Sequence, residues 1–484
     1  MNFETIPLSL RLPGAYVEIS TQRAVRGLPG FPHKIVIFTQ KLATGTLAAG
    51  VATRVTRPQD GDALCGRGSM GAAMIKAALK ANGWTECWVI ALEDKADGTA
   101  ATGTLTVTGA PTSSGVYPLY IAGVKVGVGV AAGDSINATA TKIAAAINAN
   151  ADMPVTAAAV NAVVTCTARH KGLCGNDIDM RAGFYPDETL PAGLAVTIVG
   201  MAAGAGNPDI ADAIEAMGET WFTDIVNPWT DTTSLNALKL DLDARWTGTV
   251  MKDAKAYSFK RDTFGNLATF GNARNDGLAT IMGSNDALTP TYVLAAIYCA
   301  VSTFQLGIDP ARPLQNVAMP GALIGPKHFN QQERNLLLFD GIATCRLGDD
   351  GTVYIERAVT TYQKNAAGAD DTALLDLETV ATLALLRYTE RTRILLRFPR
   401  MKLTDDGNEI APGQAMVRPK DIRDELIALA MEWQRAGLVE NIDDYVANLI
   451  VQRSADDPNR VNVLNPPDLV NQLRIYASKI EFRL

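Results

Sequence analysis

The stretch that constrains this chain most is Leu473 to Leu484 (LRIYASKIEFRL). Leu473, Ile475 and Ala477 share one face of an extended segment and Ile480, Phe482 and Leu484 share the other, so the apolar phase flips near Ser478 and Lys479. Alternation with period two predicts a strand. A flip means a bulge or two strand pieces with different partners, because a one-residue slip moves every side chain to the opposite face. The unpaired backbone groups of such a strand must then be covered, either within the same copy or by a neighbouring copy whose sheet it completes. The opening of the chain repeats the pattern. Leu8, Leu10 and Leu12 alternate with polar residues, Pro13-Gly14 supplies a turn, and Ala15, Val17 and Ile19 alternate with Tyr16, Glu18 and Ser20. Both ends are therefore expected to be strand-like arms. No secretory leader is expected, since a basic region followed by an apolar run and a cleavage site is not found there.

Between the arms, 484 residues suggest about two to four domains with room for large cores. A net charge of −7 with interspersed signs advertises no basic face, so neither nucleic acid nor anionic lipid is an expected partner. Every apolar run of about eighteen residues is interrupted by charge or turn signals, and no membrane insertion is expected. Six cysteines scattered over this length fit reduced, buried thiols better than a disulfide framework. Three histidines are few for acid/base or metal chemistry, for which histidine is the usual residue.

The pattern predicts an α/β core with an inserted mostly-β region. His33–Thr39 reads as a buried strand, Gly66–Gly83 as a glycine-led helix, and Glu86–Leu92 as a strand. From about Thr99 to Ala205 the composition turns to Ala, Gly, Thr and Val, with strands at 103–108, 117–130, 163–168 and 194–199 and an Ala-rich helix at 135–150. Helix at 209–218, strand at 221–226, helix at 232–246, strand at 278–282 and helix at 292–305 resume the core. A final domain is expected from Lys327, with helix or loop at 334–340, a hairpin around Gly348–Gly351, helices at 376–398 and 419–438, and a strand at 445–452. The expected boundaries are 1–22, 23–98 with 206–326, 99–205, 327–470 and 471–484.

Several groupings invite chemistry. Gly66, Gly68 and Gly71 match G-x-G-x-x-G ahead of a helix, with Glu93 and Asp94 some way downstream, as an NAD-type oxidoreductase would need. That fingerprint also needs a strand delivering the first glycine, and Arg57–Cys65 (RPQDGDALC) reads as a polar loop, so a tight turn into a packed helix competes with it. Cys166, His170 and Cys174, followed by Asp177 and Asp179, are spaced four apart, which fits no standard tetrahedral zinc site; isolated buried thiols and a surface histidine are the alternative. Asp349 and Asp350 read as hairpin-turn residues. The helix at 419–438 carries Lys420, Arg423 and Arg435 over an apolar stripe of Ile422, Leu426, Leu429 and Trp433, either a packed amphipathic helix or a docking surface. No catalytic residue, cofactor or metal is expected.

Taken in order, Pro13-Gly14-Ala15-Tyr16-Val17-Glu18, Gly68-Ser69-Met70, Gly172–Asp179 (GLCGNDID) and Asn465-Pro466-Pro467 give a chain that resembles the phage contractile-tail sheath proteins of Mu-like type over nearly its whole length. The resemblance implies a multidomain sheath-type fold and a structural virion subunit, assembled in the host cytoplasm, that wraps a tail tube in stacked six-membered rings. It implies as partners other copies of the chain, the tube protein, the baseplate and the tail terminator. Carried onto this sequence, it implies inter-subunit arm strands at Ala15, Tyr16, Val17, Glu18 and Ile19 and at Leu473, Ile475, Tyr476, Ile480, Phe482 and Leu484. It further implies a tube-facing helix bearing Lys420, Arg423 and Arg435, and an inserted domain on the outside. Cys166 and Cys174 take no implied role. A self-assembling shell protein with similar arms but no tube is the remaining alternative.

Overall fold

The computed structural model describes residue 14 and residues 28–483, and the chain divides into two compact units, Pro32–Val380 and Ala381 onward with residues 28–31. The arm expected at Ala15–Ile19 lies outside the described residues, as does Leu484.

The first unit opens with β1 (Lys34–Gln40), β2 (Thr53–Val55), α1 (Asp60–Cys65), α2 (Met70–Ala81) and β3 (Glu86–Leu92). β1 and β3 are near-continuous apolar runs, as parallel strands covered on both faces require. Ser69 caps α2, its hydroxyl accepting from the Ala72 amide at 3.0 Å. An excursion follows: β4 (Ala100–Gly109), β5 (Gly115–Ile121), β6 (Val124–Val130), α3 (Ile136–Ala149), β7 (Val155–Val160), β8 (Val163–Lys171), a 3-10 turn (Leu173–Asp177), β9 (Met180–Ala182) and β10 (Ala195–Ala202). The excursion leaves and returns through paired residues, Thr99 and Ala205, whose amides each donate to the other's carbonyl, at 2.8 and 3.1 Å. Its sheets, ordered β10-β4-β8-β7 and β6-β5-β9, enclose their own core, in which Leu105, Val164 and Cys166 meet Tyr117, Leu119 and Val128 with Ile143 and Ile147 of α3.

The chain then returns through α4 (Ile210–Ala216), β11 (Asp224–Val226), α5 (Thr232–Trp246), β12 (Lys255–Arg261), α6 (Phe264–Asn272), β13 (Ala279–Ser284), α7 (Thr291–Ile308), α8 (Gln331–Phe339), β14 (Ala343–Leu347) and β15 (Val353–Arg357). The central sheet has eight strands in the order β15-β14-β13-β12-β11-β1-β3-β2, parallel from β3 to β14 and antiparallel at both edges. Both edges are blunted. β2 is three residues long with Arg54 exposed, and β15 is covered by backbone bonds to residues 316–319, including Asn316 N to Ile355 O at 2.9 Å and Met319 N to Val353 O at 2.8 Å. At the amino ends of the strands a buried Asp224 carboxylate accepts from Lys255 Nζ at 3.2 Å, Tyr257 Oη at 3.1 Å and Thr223 Oγ1 at 2.7 Å, with His33 Nδ1 at 3.4 Å. Burial alone would raise this carboxyl. The Lys255 charge and the His33 and Thr223 bonds more than reverse that and hold it well below the usual carboxylate range.

The second unit contains most of α9 (Leu377–Arg397), then β16 (Lys402–Leu403), β17 (Met416–Val417), α10 (Pro419–Arg435), β18 (Val439–Glu440), α11 (Ile442–Asn448), β19 (Ile450–Arg453), β20 (Val461–Leu464) and β21 (Asp468–Leu469). Its core gathers Leu426, Leu429, Ala430 and Trp433 of α10, and Trp433 Nε1 donates to Thr389 Oγ1 of α9 at 2.9 Å.

Four expectations are corrected. Arg57–Cys65 is not a loop, because Asp60–Cys65 forms α1. The segment expected as one strand at 445–452 is helix through Asn448 and strand only from Ile450, the helix being entered through a left-handed Asn441. The final domain does not start at Lys327: β14 and β15 pair onto β13, α8 packs on α6, and the first compact unit runs to Val380. α7 is, among the described residues, a helix long and apolar enough to cross a membrane, yet it is mostly buried against α2 and the strands β1, β11 and β12. Within its own copy, the segment 471–483 pairs with no strand.

Candidate functional site

A doubly wound sheet binds ligands outside the carboxyl ends of its strands, at the point where strand order reverses. Here the reversal is at β1, flanked by β3 and β11. That crevice is filled by the base of the inserted region. From β1, Gln40 Nε2 donates to the Lys171 carbonyl at 2.8 Å and to Asp94 Oδ1 at 2.7 Å. Beyond β3, Asp94 accepts from the Lys171 amide at 2.9 Å and lies 2.8 Å from His170 Nδ1. Beyond β11, the Pro228 carbonyl accepts from Cys174 Sγ at 3.5 Å. Arg261 at the end of β12 reaches the Asn176 carbonyl at 3.3 Å, and Asp286 beyond β13 holds Arg181 Nη2 at 2.6 Å. Five strand ends thus grip the insertion. Burial would raise the Asp94 carboxyl, but its bonds to His170, Lys171 and Gln40 lower it below its ordinary value, which suits a permanent anchor.

The glycine-rich match serves the same contact. Gly66 and Gly68 sit at φ of 88° and 76°, and a Cβ on Gly68 would lie 2.7 Å from the Met153 carbonyl oxygen and 2.8 Å from that of Ala151. Gly71 lets α2 close on α1, since a Cβ there would fall 2.6 Å from Cys65 Sγ. The glycines follow a helix and not a strand, and the α2 amide that a phosphate would use is taken by Ser69. Glu93 pairs with Lys41 at 3.2 Å. Gly68→Ala is therefore expected to destabilise the first unit by about 1–3 kcal/mol more than Gly133→Ala, in thermal unfolding. Gly133 shares the positive φ (83°) but has open space around it.

The remaining candidates do not converge. Cys166 lies in the core of the insertion, where burial pushes its thiol up to about 11; Cys174 is bonded to Pro228; and His170 is buried on Asp94, not at the surface. Asp350 accepts from the Thr352 amide at 3.0 Å and hydroxyl at 2.8 Å, closing the β14–β15 turn. Lys420 Nζ donates to the Asp406 carbonyl at 3.1 Å and Arg423 Nη2 to the Val446 carbonyl at 2.7 Å, so both are engaged within their own unit; Arg435 is exposed.

The second unit carries two features that point outward. β19 and β20 form a two-stranded ladder with no further strand on either edge among the described residues, and Ile450, Val463 and Leu464 are exposed. The terminal segment after β21 joins no sheet, with Leu473, Ile475, Tyr476, Ile480 and Phe482 each 79–86% exposed. A third feature lies outside the sequence-based expectations. Arg391–Leu403 (RTRILLRFPRMKL) has five cations and no anion. Arg393 and Arg397 pair with Glu425 at 3.1 and 3.2 Å, but Arg391 and Arg400 have no carboxylate partner among the described residues, and Leu395 and Leu396 are 63% and 75% exposed between them. The unbroken charge run is the signal by which the sequence marks it.

Comparison with known proteins agrees across the chain. Residues 203–361 match the phage tail sheath protein central domain and residues 369–483 the phage tail sheath C-terminal domain. A Mu-like prophage FluMu tail sheath protein of Haemophilus influenzae is 42% identical over 487 residues, covering 100% of both chains. The fold is similar to the sheath tail protein of Desulfitobacterium hafniense (12% identity, 95% of this chain and 97% of that one, TM-score 0.51) and to that of Listeria innocua (13%, 93% and 94%, 0.51).

Proposed function

The chain belongs to the phage tail sheath family, and from that premise we propose that it is the subunit of a contractile sheath, a structural virion protein that polymerises around a tail tube and drives it through the host envelope without catalysis. The observation that carries this reading is the exposed, alternating terminal segment in the same unit as a hairpin with open edges. An isolated segment with five large apolar side chains in water is an unfavourable state that strand addition to a neighbouring copy relieves. Backbone bonds of that kind are indifferent to side-chain detail and can hold neighbours together while domains reorient. The work of contraction is then a difference in packing between two assembled states, with no nucleotide consumed. The amino-terminal stretch Ala15–Ile19 is proposed for the same role, and the baseplate and tail terminator are proposed to meet the ends of the polymer.

For the tube-facing surface, the apolar and basic end of α9 fits better than α10, whose Lys420 and Arg423 are engaged. A tube of acidic surface would complement it. Arg391→Glu with Arg400→Glu is expected to leave folding intact and to weaken co-sedimentation with the tube protein at least tenfold; unchanged co-sedimentation would place the contact elsewhere. The proposal as a whole is tested by electron microscopy of the purified protein. Regular tubes with a toothed cross-section are expected, and a protein that stays monomeric at every concentration, with and without the tube protein, overturns it.

A further inference from the structure

The outward face of the β10-β4-β8-β7 sheet carries three adjacent rows of threonine, valine and alanine. Its inner residues belong to the core of the insertion. Its outer residues, fixed by the register, run across the strands in rows: Thr197–Thr106–Val163–Val160, Val199–Thr104–Thr165–Ala158, and Thr102–Thr167–Thr156. None of these eleven is charged, on a chain with net charge −7; the cations Arg169 and Lys171 of β8 share the face but lie beyond these rows, at the end gripped by the central sheet. Val160 and Val199 are 70% and 58% exposed. Natural sheets discourage such a face with lysine or glutamate; this one presents threonine methyls and hydroxyls to solvent instead.

We propose that this face is a contact surface for a second copy of the chain within the assembled sheath. The inference rests on the sheath reading above. Four strands about 4.8 Å apart and about five residues of ladder give roughly 300 Å², well under half of the ~800 Å² per partner that a stable free complex buries. A partner arriving from solution would find too little to hold. A copy already tethered by its arms would not need more, because the contact is then intramolecular in effect. The lack of charge in these rows suits the same occupant, since such a patch adds no local like-charge repulsion or stranded charge to a contact between copies of an acidic chain. In a polar stack the contact is head-to-tail, so the face meets a different surface of the neighbour.

The test uses the full chain with Thr104→Cys, a position in the middle row. All six native cysteines are buried, so a bulky maleimide reports on the new thiol. Labelling at least tenfold slower in polymers than in monomers is expected. Equal labelling in polymers leaves the face open, for a glycan or any outside partner, and overturns the inference while sparing the sheath reading. A wild-type protein that forms no polymer overturns the sheath reading, and this inference with it. As a second variant, Thr104→Glu with Thr165→Glu is expected to keep the monomer's thermal midpoint and raise the critical concentration for polymerisation at least tenfold, whereas the paired Ser variant does not.

Discussion

A chain cut after Val470 is expected to fold with the thermal midpoint of the full-length protein, within about 2 °C, and to form no polymer. The first half follows from exposure: the five large apolar side chains removed are almost fully solvated, so little packing is lost. Val470 itself, whose amide donates to Leu438 at 3.2 Å and so closes β21 onto β18, is retained. The second half follows from what the segment can do elsewhere. Five ladder bonds at about 0.5–1.5 kcal/mol each, with burial of Leu473, Ile475, Ile480 and Phe482 at about 1.5–3 kcal/mol each, offset in part by ordering, leave on the order of 5–10 kcal/mol per junction. Since every 1.4 kcal/mol is tenfold in affinity, losing that term takes assembly beyond micromolar reach. Analytical ultracentrifugation and microscopy read the outcome directly; long, regular polymers from the truncated chain would refute the arm model.

The second large effect is internal. Asp224→Ala is expected to cost the first unit roughly 3–5 kcal/mol, because Lys255, 3% exposed, would keep its charge without its counter-ion. Replacing both, Asp224→Leu with Lys255→Met, is expected to be milder than the single change, as neither charge is then stranded. The pH dependence has a definite sign. The folded carboxyl titrates below its unfolded value near 3.9, so the pair's contribution is fully present above about pH 4 and is lost as pH falls toward the folded value. Thermal melts between pH 7 and pH 3 should therefore show a gap between wild type and Asp224→Ala that is constant down to about pH 4 and narrows below it without closing by pH 3. A constant gap across that range would show that Asp224 stabilises only by packing.

Local signals in the sequence are legible where they are chemically explicit. Ser69 before α2, Ser135 before α3 and Asp231 before α5 each accept from an amide in the first turn, which is why α3 and α5 start within a residue of where the spacing predicts and α2 starts at Met70 and not at the expected Gly66. β3 is a plain apolar run, and its limits can be read directly. What stays hidden depends on partners distant in sequence. β12 (KAYSFKR) escapes notice because its first residue is a lysine, and only the pairing with Asp224 explains a buried charge in a central strand. α1 carries two acids and a glycine and reads as loop, until Gly61 is seen against the Ala72 backbone. The hairpin β14–β15 is evident as a hairpin but falls to the wrong domain, since nothing local reveals that β13 is its neighbour. The positive charges of α10 are visible in the sequence, but the carbonyls of Asp406 and Val446 that engage two of them are not.

One further consequence follows from the blunted edges of the central sheet. A short, charged margin at β2 and a backbone-sealed margin at β15 leave an incoming strand nowhere to register on the larger sheet. The ladder of β19 and β20 is then the longest vacant berth in the second unit among the described residues. In the proposed assembly, subunits whose terminal segments are held at high local concentration would thereby be steered away from tangling and into one repeatable linkage.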